Sequence, residues 1–371
     1  MENLQIEKRT VGNTEVFIGG RIIKEIPTRL STVFEEGALF VVYEKDKKDI
    51  ADCLMQELKK TGYRVFAGGF DTVEKDKENE TVCEIPDYIR YVFAVGEEAA
   101  STIAKRICRE KNIGWSLLLC TPTSDNVMCG ICPKQVFIDS DIVNKSTKSQ
   151  IASGYGIVLA SKLTAFEDEF SRKVLSEDKP VKSAFDTKCD ASELAYRLLE
   201  ISNEKDGEDS AERMAKLMFA RAVSQGKKPR LIGEYRFLCA CLITAFYSAF
   251  LGAPSIDCVP PACIDDALDK ISSLPFRLVN EGKCVDFFDV CGYFRISYIL
   301  SEYRVDLLEK LANIDLHGMQ RFWRRLYPDA GYWLKSEISA KEALDALALA
   351  GAVSDNLLGY AYASGMLKAI G

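Results

Sequence analysis

The stretch YVFAVGEEAASTIAKRICRE, residues 91–110, sets a short apolar run, a glycine and a helical pattern in succession. A strand, a glycine turn and a helix start in that order make an anion-binding corner, because the first backbone N–H groups of the helix point beyond the turn. Here Gly96 is followed by Glu97 and Glu98, two carboxylates where a phosphate would sit. At ~4 Å and an effective dielectric of ~20, each like-charge pair costs about 4 kcal/mol before screening. The same carboxylates favour the positive end of a helix by about 0.3–1 kcal/mol each. The corner therefore reads either as an ordinary acid-capped helix start or as a site that has come to prefer a cation or an amine.

Other residues could do chemistry. In TPTSDN, the hydroxyls of Thr121, Thr123 and Ser124 and the carboxylate of Asp125 either line a cleft or form a strand-exit turn, for which Pro, Ser, Asp and Asn are standard. Cys129 and Cys132 have C-x-x-C spacing, but zinc needs two further ligands and a thioredoxin-like pair needs the right helix start. Cys239 and Cys241, or Cys258 and Cys263, could contribute, yet nothing places them nearby, and small buried residues are the expectation. The acid pairs Glu167-Asp168 and Asp265-Asp266 are expected on solvated helix faces. There is no G-x-S-x-G elbow and no P-loop. The one histidine, His317, precedes a basic aromatic stretch and reads as a helix-terminal or surface residue, with a general base as the alternative.

These residues need elements to hold them. EVFIGG (15–20), ALFVVY (38–43), YRVF (63–66), YVFAV (91–95), SLLLC (116–120) and QVFID (135–139) are apolar strand patterns. Helical spacing separates the early ones, around 21–34 and across Ile50, Cys53, Leu54 and Leu58. Continuous apolar strands alternating with helices imply a Rossmann-like, mostly parallel sheet covered on both faces. After residue 150 helical spacing dominates, so the expectation is an α/β domain over 1–150 and an all-α domain over 151–371. SNEKDGEDSAE (202–212) reads as a solvated loop, and three prolines forbid regular helix within 252–263.

The net charge of −7, with no basic stripe, excludes nucleic acid as the natural partner. MENLQIEKRT has no apolar run, so no signal peptide is expected, and thirteen irregularly spaced cysteines suit a reducing, cytoplasmic setting. The uncharged run 237–256 is diluted by Thr244, Tyr247 and Ser248 and reads as a buried helix, not a membrane span.

The architecture and several segments resemble the family of dehydroquinate synthase, glycerol-1-phosphate dehydrogenase and the iron-containing alcohol and glycerol dehydrogenases. VFIGGRIIKEIPTRL is similar to its opening strand, turn and helix. FAVGEEAASTIAKRI resembles its VGGGxxxDxAK segment, with Lys105 at the lysine, and LLLCTPTSDN resembles the strand entering its PTTxSxD loop. The most specific match is VFIDSDIVNKSTKSQIASGYGIVLASKLTAFED, and LLGYAYASGML is similar to the closing helix.

The resemblance implies a divalent metal held by a carboxylate and histidines, which polarises a substrate oxygen, beside a nicotinamide cofactor. At the three ligand positions it implies, this sequence carries Ile157, Tyr235 and Cys291. A single histidine in the chain cannot supply two. The expectation is thus a pseudoenzyme-like homologue with no metal and no NAD(P), acting through an unknown small molecule or protein partner, and by resemblance a homo-oligomer. The relic cleft would comprise Gly96, Glu97, Glu98, Thr121, Thr123, Ser124 and Asp125. The alternative is an NAD(P)-dependent alcohol or glycerol(-phosphate) dehydrogenase with an atypical site, using Lys105, Tyr155 or Tyr235 as the acid.

Overall fold

Strands buried on both faces need apolar residues at every position, and the sequence supplies them. In the computed structural model, which describes residues 6–70, 85–175, 190–205, 208–253, 290–314, 316–326, 339–352, 354 and 356–363, they form one seven-stranded sheet. Its strands are β1 (Glu7–Val11), β2 (Thr14–Gly19), β3 (Ala38–Glu44), β4 (Arg64–Phe70), β5 (Ile89–Gly96), β6 (Gly114–Leu119) and β7 (Gln135–Asp139). The order is β1-β2-β7-β6-β5-β3-β4, parallel throughout except for β1. Alternate residues serve opposite faces. Phe40, Val42, Val92 and Ala94 enter one core, and Leu39, Val41, Phe93 and Val95 the other.

The edge strand β1 is absent from the sequence reading. Its EKRTV run is mostly polar and exposed, so no apolar pattern marks it. The signal was the Gly12-Asn13 turn, with Gly12 at φ 56° joining Val11 to Thr14. The helix expected over 21–34 is instead a 3₁₀ turn, Ile22–Lys24, and a short α1, Ile26–Leu30, because Arg21 sits in the left-handed region and Pro27 can only occupy a helix start.

The helices that follow are α2 (Lys48–Lys60), α3 (Glu98–Lys111), α4 (Ser140–Val143), α5 (Lys148–Phe170), α6 (Ala191–Glu204), α7 (Ser210–Ser224), α8 (Ile232–Gly252), α9 (Val290–Ala312), α10 (Leu316–Leu326), α11 (Ala340–Ala352) and α12 (Leu357–Ala363). Two compact units result: Met1–Gly154 with Lys188–Lys205, and Tyr155–Thr187 with Asp206–Gly371. The segment 188–205, which the sequence groups with the helical part, belongs to the sheet unit, where α6 lays Ala191, Ala195, Tyr196 and Leu199 against one face of the sheet core.

In the helical unit, α8 is long and apolar enough to cross a membrane by length and composition alone. More than half of its apolar window (56%) is buried inside the protein. Part of 202–212 departs from the solvated loop expected there. Ser202, Ser210 and Glu212 are buried, and Asp209 caps α7 by accepting the Glu212 N–H at 2.7 Å. A charge-rich string looked like solvent-facing loop, yet Asp209 and Glu212 are taken up by a cap and by Arg236.

The glycines of the GYG segment serve backbone packing. A β-carbon on Gly154 would lie 2.1 Å from the Pro122 carbonyl oxygen, within the sheet unit. One on Gly156 would lie 2.1 Å from the Gly233 carbonyl oxygen, within the helical unit. Neither neighbour is a flexible side-chain tip, so α5 and the start of α8 must separate to admit a methyl group. Gly156→Ala is expected to destabilise the helical unit by about 1–3 kcal/mol or more, read by denaturant titration. An unchanged midpoint would refute the close approach.

Candidate functional site

The strand order places a reversal between β3 and β5. The chain builds β4 outward from β3, returns to β3's other side as β5, and then adds β6 and β7 in the opposite direction. In open parallel sheets the crevice at the carboxyl ends of such a pair is where ligands bind. Here that crevice is closed by Glu44, the last residue of β3. Its Oε1 accepts the Glu97 N–H at 2.9 Å and the Ala100 N–H at 3.3 Å, which are backbone donors of the first turn of α3. Gly96, at φ 141°, makes room: a β-carbon there would lie 2.8 Å from the Glu44 carboxyl carbon. Only glycine tolerates both that φ and that contact.

Glu44 is 3% exposed. Burial, and then the charge of Glu97, push its carboxyl up to about 7, against the pull of the two amides. The residue that caps α3 is thus neither of the two glutamates beside the glycine. Glu97 does not cap the helix with its own side chain. Its carboxylate accepts from Thr123 Oγ1 at 2.7 Å and Gln150 Nε2 at 3.4 Å, with Lys47 Nζ 3.9 Å away. Thr121 Oγ1 in turn lies 3.0 Å from Thr123 Oγ1. Glu98 accepts from Asn126 Nδ2 at 3.2 Å. The TPTSDN loop is therefore drawn onto the start of α3 by hydroxyl and amide donors that meet the two acids.

The rest of that loop is internally paired. Thr121, Thr123, Ser124 and Asp125 are all buried. Ser124 Oγ accepts the Asn126 N–H at 3.2 Å, and Asp125 pairs with Lys205 at 3.3 Å. Lys105 donates to the Asn126 carbonyl, and its burial lowers its proton affinity. A second carboxylate ending a strand behaves as Glu44 does: Asp139, at the end of β7, is 2% exposed and accepts the Asp141 N–H at 2.9 Å. Burial raises its pKa, while bonds from the Asp141, Ile23 and Ile22 amides oppose that rise.

Among the remaining candidates, Tyr155 and Tyr235 are buried in the helical unit, 6% and 1% exposed. Tyr235 borders a small cleft with Arg221, Gln225, Lys227 and Glu342. Ile157 is 1% exposed. The side chain of Cys291 lies outside the described residues, as do Asp265, Asp266, Cys258 and Cys263. His317 is an exposed residue of α10. Among the described residues, no three His, Cys, Asp or Glu side chains gather where they could hold a metal ion.

Two expectations need correction. Glu167 and Asp168 are not on a solvated face: they are 3% and 7% exposed. Glu167 accepts from the Tyr247 hydroxyl at 2.6 Å, and burial carries its carboxyl up to about 7. Adjacent acids on a helix suggested a wet face, but α5 is packed over much of its circumference, and Glu167 is met by the hydroxyls of Tyr247 and Ser210. Nor are Cys129 and Cys132 ordinary buried residues, since Cys129 is half-buried and Cys132 exposed. Sequence reasoning missed Glu44, Lys47, Gln150 and Lys205. For Glu44 the signal was present, an acid directly ending an apolar strand; the others are brought in only by the fold.

No protein-family model matches the sequence, and no curated protein matches it. Solved structures do match. Glycerol dehydrogenase from Schizosaccharomyces pombe superposes with a TM-score of 0.52 at 13% identity, over 87% of this chain and 93% of that one. The chain has the glycerol dehydrogenase fold. An archaeal alcohol dehydrogenase from a Red Sea brine pool agrees, with a TM-score of 0.50 at 13% identity over 98% of this chain and 96% of that one. The glycerol dehydrogenase fold, a mostly parallel sheet followed by helices, is the architecture the sequence resemblance implied. Identity this low carries the fold and leaves the chemistry to be argued from the residues.

Proposed function

We propose that this chain uses a dehydrogenase fold for binding, not for metal-assisted hydride transfer to a nicotinamide. The observation that carries the reading is Glu44: its carboxylate already accepts the Glu97 and Ala100 N–H groups. A pyrophosphate needs those donors, and beside them it would meet Glu97, a charge of its own sign. The corner does not fit a dinucleotide. The positions that the resemblance assigns to metal ligands do not fit a metal either, since Ile157 offers only alkyl carbon and one exposed histidine cannot act as two. The relic cleft retains the Thr121–Thr123–Glu97 chain with Gln150 and Lys47 beside it, a donor and acceptor set suited to a small polar molecule. A cytoplasmic, homo-oligomeric protein with a small-molecule or protein partner is the setting this reading favours.

Calorimetric titration with NAD(H) and NADP(H), with and without zinc or iron, tests it. No heat of binding at micromolar concentrations is expected in any combination. Micromolar binding would mean that Glu44 swings out and Glu97 turns away, and a dehydrogenase with an atypical site would replace the proposal.

A further inference from the structure

The turn between β6 and β7 carries a second chemistry that the relic cleft does not use. Its sequence is NVMCGIC, residues 126–132, and it is tied down at both ends. The Cys129 N–H donates to the Asn126 carbonyl at 3.2 Å, and the Lys105 ammonium donates to that same carbonyl. The Met128 N–H donates to Ser202 Oγ at 2.7 Å, which docks the turn on the end of α6. Lys205 Nζ donates to Asn126 Oδ1 at 2.9 Å, so two ammonium groups converge on one residue of the turn.

The two thiols differ in access. Cys129 Sγ is half-buried, 3.6 Å from the Ser202 carbonyl oxygen. Cys132 is exposed, and its thiol donates to the Met128 carbonyl oxygen at 3.1 Å, within the same turn. Between them Gly130 holds φ 76°, a turn conformation that favours glycine, and a β-carbon there would meet nothing within 4 Å. The thiolate is the form of a cysteine that attacks disulfides.

We propose that Cys129 and Cys132 are a redox-active dithiol that exchanges with small disulfides of the glutathione class. The exposed Cys132 thiolate attacks one sulfur of the small disulfide. The disulfide bond breaks, and the departing thiolate takes a proton from water. Cys129, its proton released to solvent, then attacks the Cys132 sulfur of the mixed disulfide and expels the second small thiolate. Two protein thiols are oxidised to one Cys129–Cys132 disulfide, and one small disulfide is reduced to two thiols. Cys129 is the resolving group, which is consistent with its lower exposure.

The test uses the full chain, reduced and then exposed to oxidised glutathione for increasing times, with free thiols alkylated and peptides mapped by mass spectrometry. The expected result is a bridged 129–132 peptide, lighter by two hydrogens, that forms before the exposed Cys53 acquires glutathione. Cys129→Ser should trap glutathione on Cys132. Glutathione appearing on Cys53 as fast as on Cys132 with no bridge formed, or a Cys129→Ser variant that traps nothing, would overturn the proposal.

Discussion

Arg236→Met is expected to destabilise the helical unit by about 3–5 kcal/mol, the cost of removing one partner from a buried ion pair. Arg236 is 3% exposed on α8; it pairs with Asp209 and lies 3.6 Å from Glu212 Oε2. Both acids belong to the start of α7 and are nearly as buried as the arginine. Asp209 accepts from Thr164 Oγ1 at 3.1 Å, and Glu212 pairs with Lys216 at 2.9 Å. Without the guanidinium, Asp209 and Glu212 lose this partner beside the buried Glu167, whose proton affinity the Asp209 charge already raises. Methionine keeps much of the volume and none of the charge, so the loss measures the pairing. At ~2–4 °C per kcal/mol for a domain of this size, the melting temperature should fall by about 6–20 °C. A loss under about 1 kcal/mol would mean that the pairing contributes little and that the arginine is dispensable.

How much of this could be read beforehand depends on whether a residue's neighbours are local. Phe40, Val41 and Val42 announce a doubly covered strand by themselves, because burial on both faces leaves no polar position. The 3.6-residue pattern of α3, with Ile103, Ala104, Ile107 and Cys108 buried, is equally self-contained. The alkyl side chain of Ile157 and the solitary His317 were legible as residue types, one without a donor atom for a metal and the other too few to supply two ligands. The adjacent acids Glu167 and Asp168 were not. Their meaning depends on Tyr247, eighty residues away, and a sequence pattern registers two charges without the hydroxyl that meets one of them. The glutamates after Gly96 mark the same boundary. That α3 begins with acids was visible; that its amides are held by Glu44 follows from strand order, which places β3 beside β5 although β4 intervenes in the chain.

That strand order has a thermodynamic consequence: Glu44→Gln should make the protein more stable in alkaline solution, by up to about 3 kcal/mol. In the unfolded chain a glutamate loses its proton near the ordinary value of 4.5, whereas in the folded protein Glu44 keeps it up to about 7. The folded pKa is the higher one, so the associated stability is fully present below pH 4.5, declines between 4.5 and 7, and is gone above 7. At ~1.4 kcal/mol for each tenfold in proton affinity, ionising the buried acid costs the wild type about 3 kcal/mol in alkaline buffer. Glutamine has nothing to ionise. Its carbonyl oxygen can still accept the Glu97 and Ala100 amides, and its NH₂ group adds no repulsion toward Glu97 or Asp46. Glu167 titrates over the same range, but it is present in both proteins and cancels from the difference. Denaturant titrations of wild type and variant at pH 5 and pH 8.5 give the result directly. The variant should gain little at the first pH and most of the full amount at the second. An equal gap at both would place the Glu44 carboxylate in solvent and reopen the helix N-terminus to phosphate. The predicted gap that widens with pH would mean that the protein tolerates a costly buried anion in order to keep its own carboxylate where a cofactor's phosphates would otherwise bind.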